Sequence, residues 1–318
     1  MMARTKVFIT GATGFAGRHL ANALPVSEFM LYGASYPNPP HPDEKNIFLL
    51  DLRSERDVFD AIRVVRPQWV FHLAAVSNVK YSWERRKETM ETNVMGTFHL
   101  FEAARKFVPE ARILYVSSSD VYGFVRGGEG RAQKAFSEGD PFHLTNPYAL
   151  SKMGGELLSD FYSRIENLDI VIVRPFPHTG PGQSSDFVCS DWARQVIQVE
   201  RDVQAPAIQV GNLDVRRDYT DVRDTVQAYI LLMQNGRRGE VYNVCRGEGI
   251  SLRRILDVLL SSASKAISVE QNPDKMRKVD IPFLVGDNRK IKKETTWEPR
   301  IPLETTLLEL LDYWRAHP

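Results

Sequence analysis

The chain has 318 residues, 41 Lys plus Arg against 40 Asp plus Glu, and two cysteines. That length is one large or two modest domains, enough to bury a core. The near-zero net charge argues against a nucleic-acid binder held mainly by phosphate contacts. Cys189 and Cys245 are too few for a disulfide framework and lack metal-ligand spacing, so they are read as buried thiols of a reducing compartment. No run reaches the ~18 apolar residues of a membrane span, and Met1 to Thr10 carries no signal-like apolar stretch. The expectation is a cytoplasmic protein with neither nucleic acid nor membrane as a partner.

Short apolar runs alternate with helical patterns through the first half. Lys6–Thr10, Met30–Ser35, Ile47–Leu50, Trp69–Leu73, Ile113–Ser117 and Ile170–Arg174 read as strands. Most are continuous apolar runs, as expected for strands covered on both faces. Between them lie helical stretches at Phe15–Leu24, Ser54–Val65, Glu84–Phe107 and Tyr148–Ile165. This cadence predicts an α/β fold, a doubly wound parallel sheet. After Pro175 the texture changes to a Pro- and Gly-rich loop and then shorter elements. Helices are expected near Asp186–Val199, Asp221–Gln234, Ser251–Ser261 and Leu303–Arg315, with strands near Ala207–Val210 and Val241–Val244. The expected division is a dinucleotide-binding Rossmann-type domain at 1–175, joined by later elements from about 207–245, and a smaller α/β substrate lobe at 176–318.

Gly11, Gly14 and Gly17 follow the first strand and open the first helix. Glycines there permit a tight turn, close approach of backbone to a pyrophosphate, and helix–sheet packing. The helix N-terminus offers free N–H groups to the anion. The alternative is a plain strand–helix turn; the flanking strand and helix favour the nucleotide site. An NAD-binding site has an acid ~20 residues on, at the end of the second strand. Leu31 to Tyr36 holds none, which makes NADP plausible, with NAD the other candidate. Arg18 is either an exposed helix arginine or a contact to the 2′-phosphate. Asp51, with Leu52 beside it, suits an acceptor for the adenine amino group or a residue of a helix N-cap.

Tyr148 and Lys152 stand at i and i+4, on one helix face. A lysine ammonium near a phenol lowers its pKa, which suits a proton shuttle to a carbinol oxygen. Ser118, in the Ser117-Ser118-Ser119 run, lies at a strand end, the edge where open α/β sheets bind ligands. Each motif alone has a bland reading, a surface helix pair or a Ser-rich turn.

Taken together, Thr10–Gly17, Asp51-Leu52, His72–Ala75, Thr92–Thr97, Ser117–Gly123, Tyr148–Lys152, Arg174–Gln183 and Arg217–Asp224 resemble the extended short-chain dehydrogenase/reductases of the nucleotide-sugar branch. Within it, Gly180–Gln183, Val210–Asp214 and Val241–Cys245 are most similar to GDP-mannose 4,6-dehydratases and GDP-4-keto-6-deoxy-mannose reductases. The resemblance implies a catalytic set of Ser118, Tyr148 and Lys152. It implies a cofactor path along Gly11, Thr13, Gly14, Phe15, Gly17, Arg18, Asp51, Leu52, Leu73, Ala74, Ala75, Asn93 and Pro175, with Lys152 on the nicotinamide ribose. Ser77, Ser118, Ser119, His178, Asn212, Arg217 and Arg277 would meet a GDP-sugar, the two arginines clamping its diphosphate. A homodimer through Glu84–Phe107 and Tyr148–Ile165 is implied, a tetramer being the larger alternative. Val94, Phe98, Leu157, Leu158 and Phe161 would serve that interface or the sheet.

Two departures stand out. Pro177 replaces the Asn of the family's Arg-Pro-Phe-Asn-His run, removing a side-chain amide and an N–H. Asp120 stands where the dehydratases carry a Glu that takes the C5 proton. One methylene is lost, and misplacement by ~1 Å can cost ~100-fold. Asp120 is a shortened base or a turn residue bonded to its own backbone. The expected reaction is therefore reduction of a 4-keto sugar, with 4,6-dehydration and 4-epimerisation as enzymatic alternatives. A dinucleotide sensor is the non-enzymatic one.

Overall fold

The computed structural model describes residues 4–40, 46–123, 134–276 and 279–317. Its centre is an all-parallel sheet formed by β1 (Thr5–Thr10), β2 (Phe29–Ser35), β3 (Ile47–Leu49), β4 (Trp69–His72), β5 (Arg112–Val116), β6 (Asp169–Pro175) and the strand Val241–Val244. Among the described residues the order is β3-β2-β1-β4-β5-β6 followed by Val241–Val244 at the far edge. The order reverses between β1 and β4, so a crevice opens there at the carboxyl ends of the strands.

Side chains alternate across this sheet, as the two-residue period of a strand requires. Val7, Ile9, Phe71, Leu114, Val171 and Val173 enter one apolar cluster with Leu20 of α1 (Phe15–Ala23). Phe8, Val70, Ile113, Tyr115, Ile170 and Ile172 enter the other. There they meet Val58 and Ile62 of α2 (Glu55–Val65) and Leu100 and Phe101. Each strand is thus apolar on both faces, which is why these runs showed no alternation in sequence.

The helix expected over Glu84–Phe107 runs without interruption from Arg86 to Phe107, as α4 (Arg86–Met90), a π-type turn at Glu91–Met95 and α5 (Gly96–Phe107), and is preceded by the short α3 (Val79–Glu84). Arg85 leaves helical geometry at φ −125°, ψ 57°. Asn93 causes no break by propensity alone; it sits in the widened turn because its side chain is tied elsewhere, as shown below. The helix carrying Tyr148 is α6 (Pro147–Arg164), capped by Asn146, whose side chain accepts from Ala149 N.

Two late elements join the sheet. Val241–Val244 pairs with β6, and the helix Val222–Asn235 packs its Val226 and Tyr229 onto the first cluster. Ala207–Val210 pairs instead with Ser268–Gln271, away from the sheet. A third cluster gathers Trp192, Val196, Leu256, Leu307 and Leu310, from helices Val188–Glu200, Leu252–Ser261 and Leu303–Ala316, with Ile208 of the strand Ala207–Val210. Cys189 and Cys245 are buried free thiols. Among the described residues no helix is long and apolar enough to cross a membrane.

Candidate active site

At the carboxyl end of β1 the chain turns through Gly11, whose φ is +71°. A Cβ on Gly11 would stand 3.0 Å from Ala74 N, and one on Gly17 would stand 2.1 Å from the Gly11 carbonyl oxygen. Only glycine lets the loop fold this tightly onto the start of α1. No side chain caps that helix and no acid lies in its first turn. Its first N–H groups therefore have no intrahelical acceptor and present a positive end to an anion. This cradle fits a dinucleotide pyrophosphate.

Beneath the loop runs a buried relay. Ala74 N donates to Thr10 Oγ1 (3.1 Å), which donates to His72 Nδ1 (2.8 Å). On the other side Thr97 Oγ1 donates to Asn93 O (2.6 Å) and so accepts from His72 Nε2 (2.9 Å). The network thereby assigns His72 a neutral ring protonated on Nε2. Burial, then the charge of Lys152, pushes its pKa down to about 3, in agreement. Asn93 closes the floor. Its Oδ1 accepts from Val76 N (2.8 Å), and its Nδ2 donates to Val76 O (3.1 Å) and Ser151 Oγ (2.8 Å). Asn93 is thus a buried strut between the 74–77 loop and α6. Leu73, Ala74 and Ala75 are half-buried above it, and Ser77 is exposed.

Ser118, Tyr148 and Lys152 come together at the end of β5, all buried. Ser118 Oγ accepts from Asp120 N (3.1 Å) at the mouth of a 3-10 turn, Ser119–Val121. Lys152 Nζ donates to Val116 O (2.7 Å) and lies 6.0 Å from the centre of the Tyr148 ring. Burial pulls the Lys152 ammonium down to about 7, while Glu156 works in the opposite direction. The expectation that Lys152 lowers the Tyr148 phenol is corrected by the structure. Burial and the nearby Asp120 charge raise it above its usual value, and only the Ser118 hydrogen bond opposes them. In a dry site desolvation outweighs a cation held about a ring's width away. Ser119 is fully buried in the turn behind Ser118.

Sequence reading missed the support under this set. Glu156, one turn beyond Lys152, accepts from Ser117 Oγ (2.5 Å) and from Arg174 Nε and Nη2 (2.9 and 2.7 Å). Arg174 Nη1 also donates to Tyr122 Oη (3.0 Å), which donates to Asn243 Oδ1 (2.6 Å). The Glu156 and Arg174 side chains are only 6% and 2% exposed. Tyr-x-x-x-Lys followed by Glu at i+8 on the buried face was the available signal. Breaking such a pair from one side strands a buried charge. Arg174→Leu is expected to cost ~3–5 kcal/mol of stability, read as a lower thermal midpoint. A midpoint within a degree or so of the wild-type value would show the pair to be unimportant.

The sugar side is less open than expected. Arg217 is buried, its Nη1 donating to Arg216 O (2.9 Å) and Ile281 O (2.5 Å) and its Nη2 to Asp280 Oδ1 (2.7 Å). Asn212 Nδ2 donates to Asp280 Oδ2 (3.1 Å), so one carboxylate holds both residues. Arg277 lies outside the described residues. His178 stacks on Phe15 (6.1 Å, 7°), and His19 Nε2 meets Pro181 O (2.9 Å), tying the glycine loop to the 176–183 loop. Burial lowers the His178 pKa, and its Nδ1 donates to Phe176 O (3.1 Å). Pro177 O accepts from Thr220 N (3.0 Å), and Pro175 is buried in β6.

Arg18 is exposed, and its Nε donates to Thr13 O (2.9 Å). Asp51 turns its carboxylate onto Arg53 rather than outward (2.7 to 3.0 Å). Burial would raise Asp51, but Arg53 outweighs it and holds the carboxyl below its usual range. Leu52 is buried beside it.

A doubly wound sheet with a glycine cradle at its switch point and Ser, Tyr and Lys at the next strand end defines a short-chain dehydrogenase/reductase. The family model described as "GDP-mannose 4,6 dehydratase" matches residues 8–310, and the chain belongs to that family. It is 32% identical to the "GDP-6-deoxy-D-mannose reductase" of Pseudomonas aeruginosa over 98% of this chain and 97% of that one. It is 25% identical to the human "GDP-mannose 4,6 dehydratase" over 97% of this chain and 91% of that one. The solved structure of RMD from Pseudomonas aeruginosa complexed with NADPH superposes with a TM-score of 0.86 at 30% identity, covering 99% and 100% of the two chains. A Thermus thermophilus UDP-glucose 4-epimerase complexed with NAD gives 0.87 at 26% identity, covering 99% and 100%.

Proposed function

We propose that this chain reduces the 4-keto group of a GDP-linked 4-keto-6-deoxy-mannose. The observation that carries this is the full-length likeness to the Pseudomonas reductase, 32% identical over 98% of this chain. Asp120 also stands one methylene short of the Glu expected to take the C5 proton in a dehydratase, whereas reduction needs only a proton donor at O4, a role that Tyr148 beside Ser118 can fill. NADP(H), with NAD(H) the other candidate, supplies hydride when bound.

Tyr148 gives its proton to O4, and Ser118 orients the carbonyl by a hydrogen bond. Lys152 holds the nicotinamide ribose. Gly11, Gly14 and Gly17 take the pyrophosphate on the start of α1, beside Thr13 and Phe15. Ala74 and Ala75 line the path between. Arg217, Asn212 and Arg277 serve the sugar nucleotide, whose remote contacts position the keto group. Residues 1–175 carry the cofactor and 176–318 most of the sugar side, in a cytoplasmic protein. The test is parallel incubation with GDP-4-keto-6-deoxy-mannose plus NADPH and with GDP-mannose alone. NADPH consumption in the first is expected. Conversion of GDP-mannose without added NADPH would overturn the reading in favour of a dehydratase or epimerase with Asp120 as its base.

We also propose that two copies associate through α6. The structure divides the apolar residues of these helices. Phe98 and Leu158 pack on the sheet cluster, and Val94 packs against Gly154. Leu150, Leu157, Phe161 and Ile165 form an exposed stripe at helical spacing, 49–65% accessible, with Met95 exposed as well. An apolar stripe on a helix suits a self-complementary two-fold contact. Sedimentation should show a dimer, and Leu157→Glu with Phe161→Glu should yield monomers. A monomeric wild type would refute this.

A further inference from the structure

We infer that Arg53 selects NADP(H) over NAD(H) by binding the adenosine 2′-phosphate, and that Asp51 positions this arginine instead of contacting adenine. The inference rests on the dinucleotide site proposed above.

The geometry begins at the end of β2. In a doubly wound sheet the residues leaving this strand meet the ribose of the adenosine. Here Ser35 pairs with Leu49 in the parallel register of β2 and β3, so both loops emerge at one edge. Ser35 is bound to the glycine loop, its Oγ accepting from Thr13 Oγ1 (2.9 Å). Tyr36 is the next residue. Arg53, reached from β3, donates from Nη2 to Tyr36 Oη (2.9 Å) and sets its guanidinium 5.4 Å from the centre of that ring.

Asp51 fixes the arginine from the other side. Its Oδ1 accepts from Arg53 N (2.9 Å) and Nε (3.0 Å), and its Oδ2 from Nε (3.0 Å) and Nη2 (2.7 Å). Both carboxylate oxygens are thus engaged by one neighbour, which is a poor state for recognising adenine. Among the described residues Nη1 meets no acceptor, and the side chain is 34% exposed. A planar fork already held on two sides loses little freedom when it takes a phosphate. Charge agrees with this. An unpaired Asp51 would repel a 2′-phosphate; paired with Arg53 it is neutralised, and Arg18 on α1 adds a further cation at the glycine loop.

The test is calorimetric titration of the full chain with NADP+ and with NAD+. Wild type should bind NADP+ more tightly. Arg53→Leu should weaken NADP+ roughly 10- to 100-fold, the range of a charge-assisted hydrogen bond, and leave NAD+ unchanged. Asp51→Asn separates the two roles of that residue. A positioning role predicts a loss confined to NADP+, whereas a contact to adenine predicts equal losses for both dinucleotides and would overturn the assignment. Arg53→Lys should recover part of the NADP+ affinity, which a purely structural effect would not produce. Equal affinity of Arg53→Leu and wild type for NADP+ would also overturn it. Failure of wild type to bind either dinucleotide would instead bring down the cofactor site itself.

Discussion

Replacing Tyr148 with phenylalanine is expected to lower turnover of a GDP-linked 4-keto sugar by ~10²–10⁴-fold, the usual contribution of a positioned general acid. Dinucleotide binding should survive. The ring is buried at the start of α6, and phenylalanine keeps its volume while removing only the hydroxyl. The lost group is the donor that burial and Asp120 keep protonated, and the other titratable member of the set cannot replace it. Lys152 Nζ is engaged by Val116 O and, in the proposed site, serves the nicotinamide ribose rather than O4. A single-turnover rate measured with saturating NADPH separates chemistry from binding. Wild-type turnover in the variant would remove Tyr148 from the mechanism.

Gly17→Ala is expected to abolish measurable dinucleotide binding and to destabilise the fold. The added methyl would sit 2.1 Å from the Gly11 oxygen and 2.9 Å from Ala12 Cα and O. These are backbone atoms, so no rotamer change relieves the clash. The loop must open, which separates the helix start from the turn that should hold the pyrophosphate. Overpacking of this kind costs ~1–3 kcal/mol by itself. Calorimetric titration with NADPH and a thermal melt check both halves. Full affinity in the variant would mean that the pyrophosphate does not lie on this loop.

The sheet was legible because its strands are apolar on both faces. Val7-Phe8-Ile9 feeds two different clusters, so the run is unbroken and short, and the expected boundaries fall within a residue or two of those observed. The helix over Glu84–Phe107 was legible, but the π-type turn inside it was not. That turn depends on Asn93 reaching Val76 and Ser151, contacts 17 and 58 residues away. No local pattern encodes them.

The same distinction holds for the site. Tyr148 and Lys152 share a helix face by spacing, and Ser118 marks a strand end, so the constellation could be read directly. What tunes it could not. Glu156 and Arg174 lie on different elements, and their burial sets Lys152's surroundings. Arg217 and Asn212 both reach Asp280, more than 60 residues on, a contact that no local pattern encodes. Arg53 was within reach. An arginine two residues after an acid can fold back onto it, and Tyr36 sits at the neighbouring strand end, but only parallel pairing of β2 with β3 brings them together.

The most direct test of the reductase account is to supply NADPH deuterated at the transferable position of the nicotinamide, with GDP-4-keto-6-deoxy-mannose as acceptor. The account predicts one deuterium at C4 of the product sugar and one oxidised cofactor per sugar reduced. Product lacking deuterium at C4, or formed without net loss of NADPH, would contradict it.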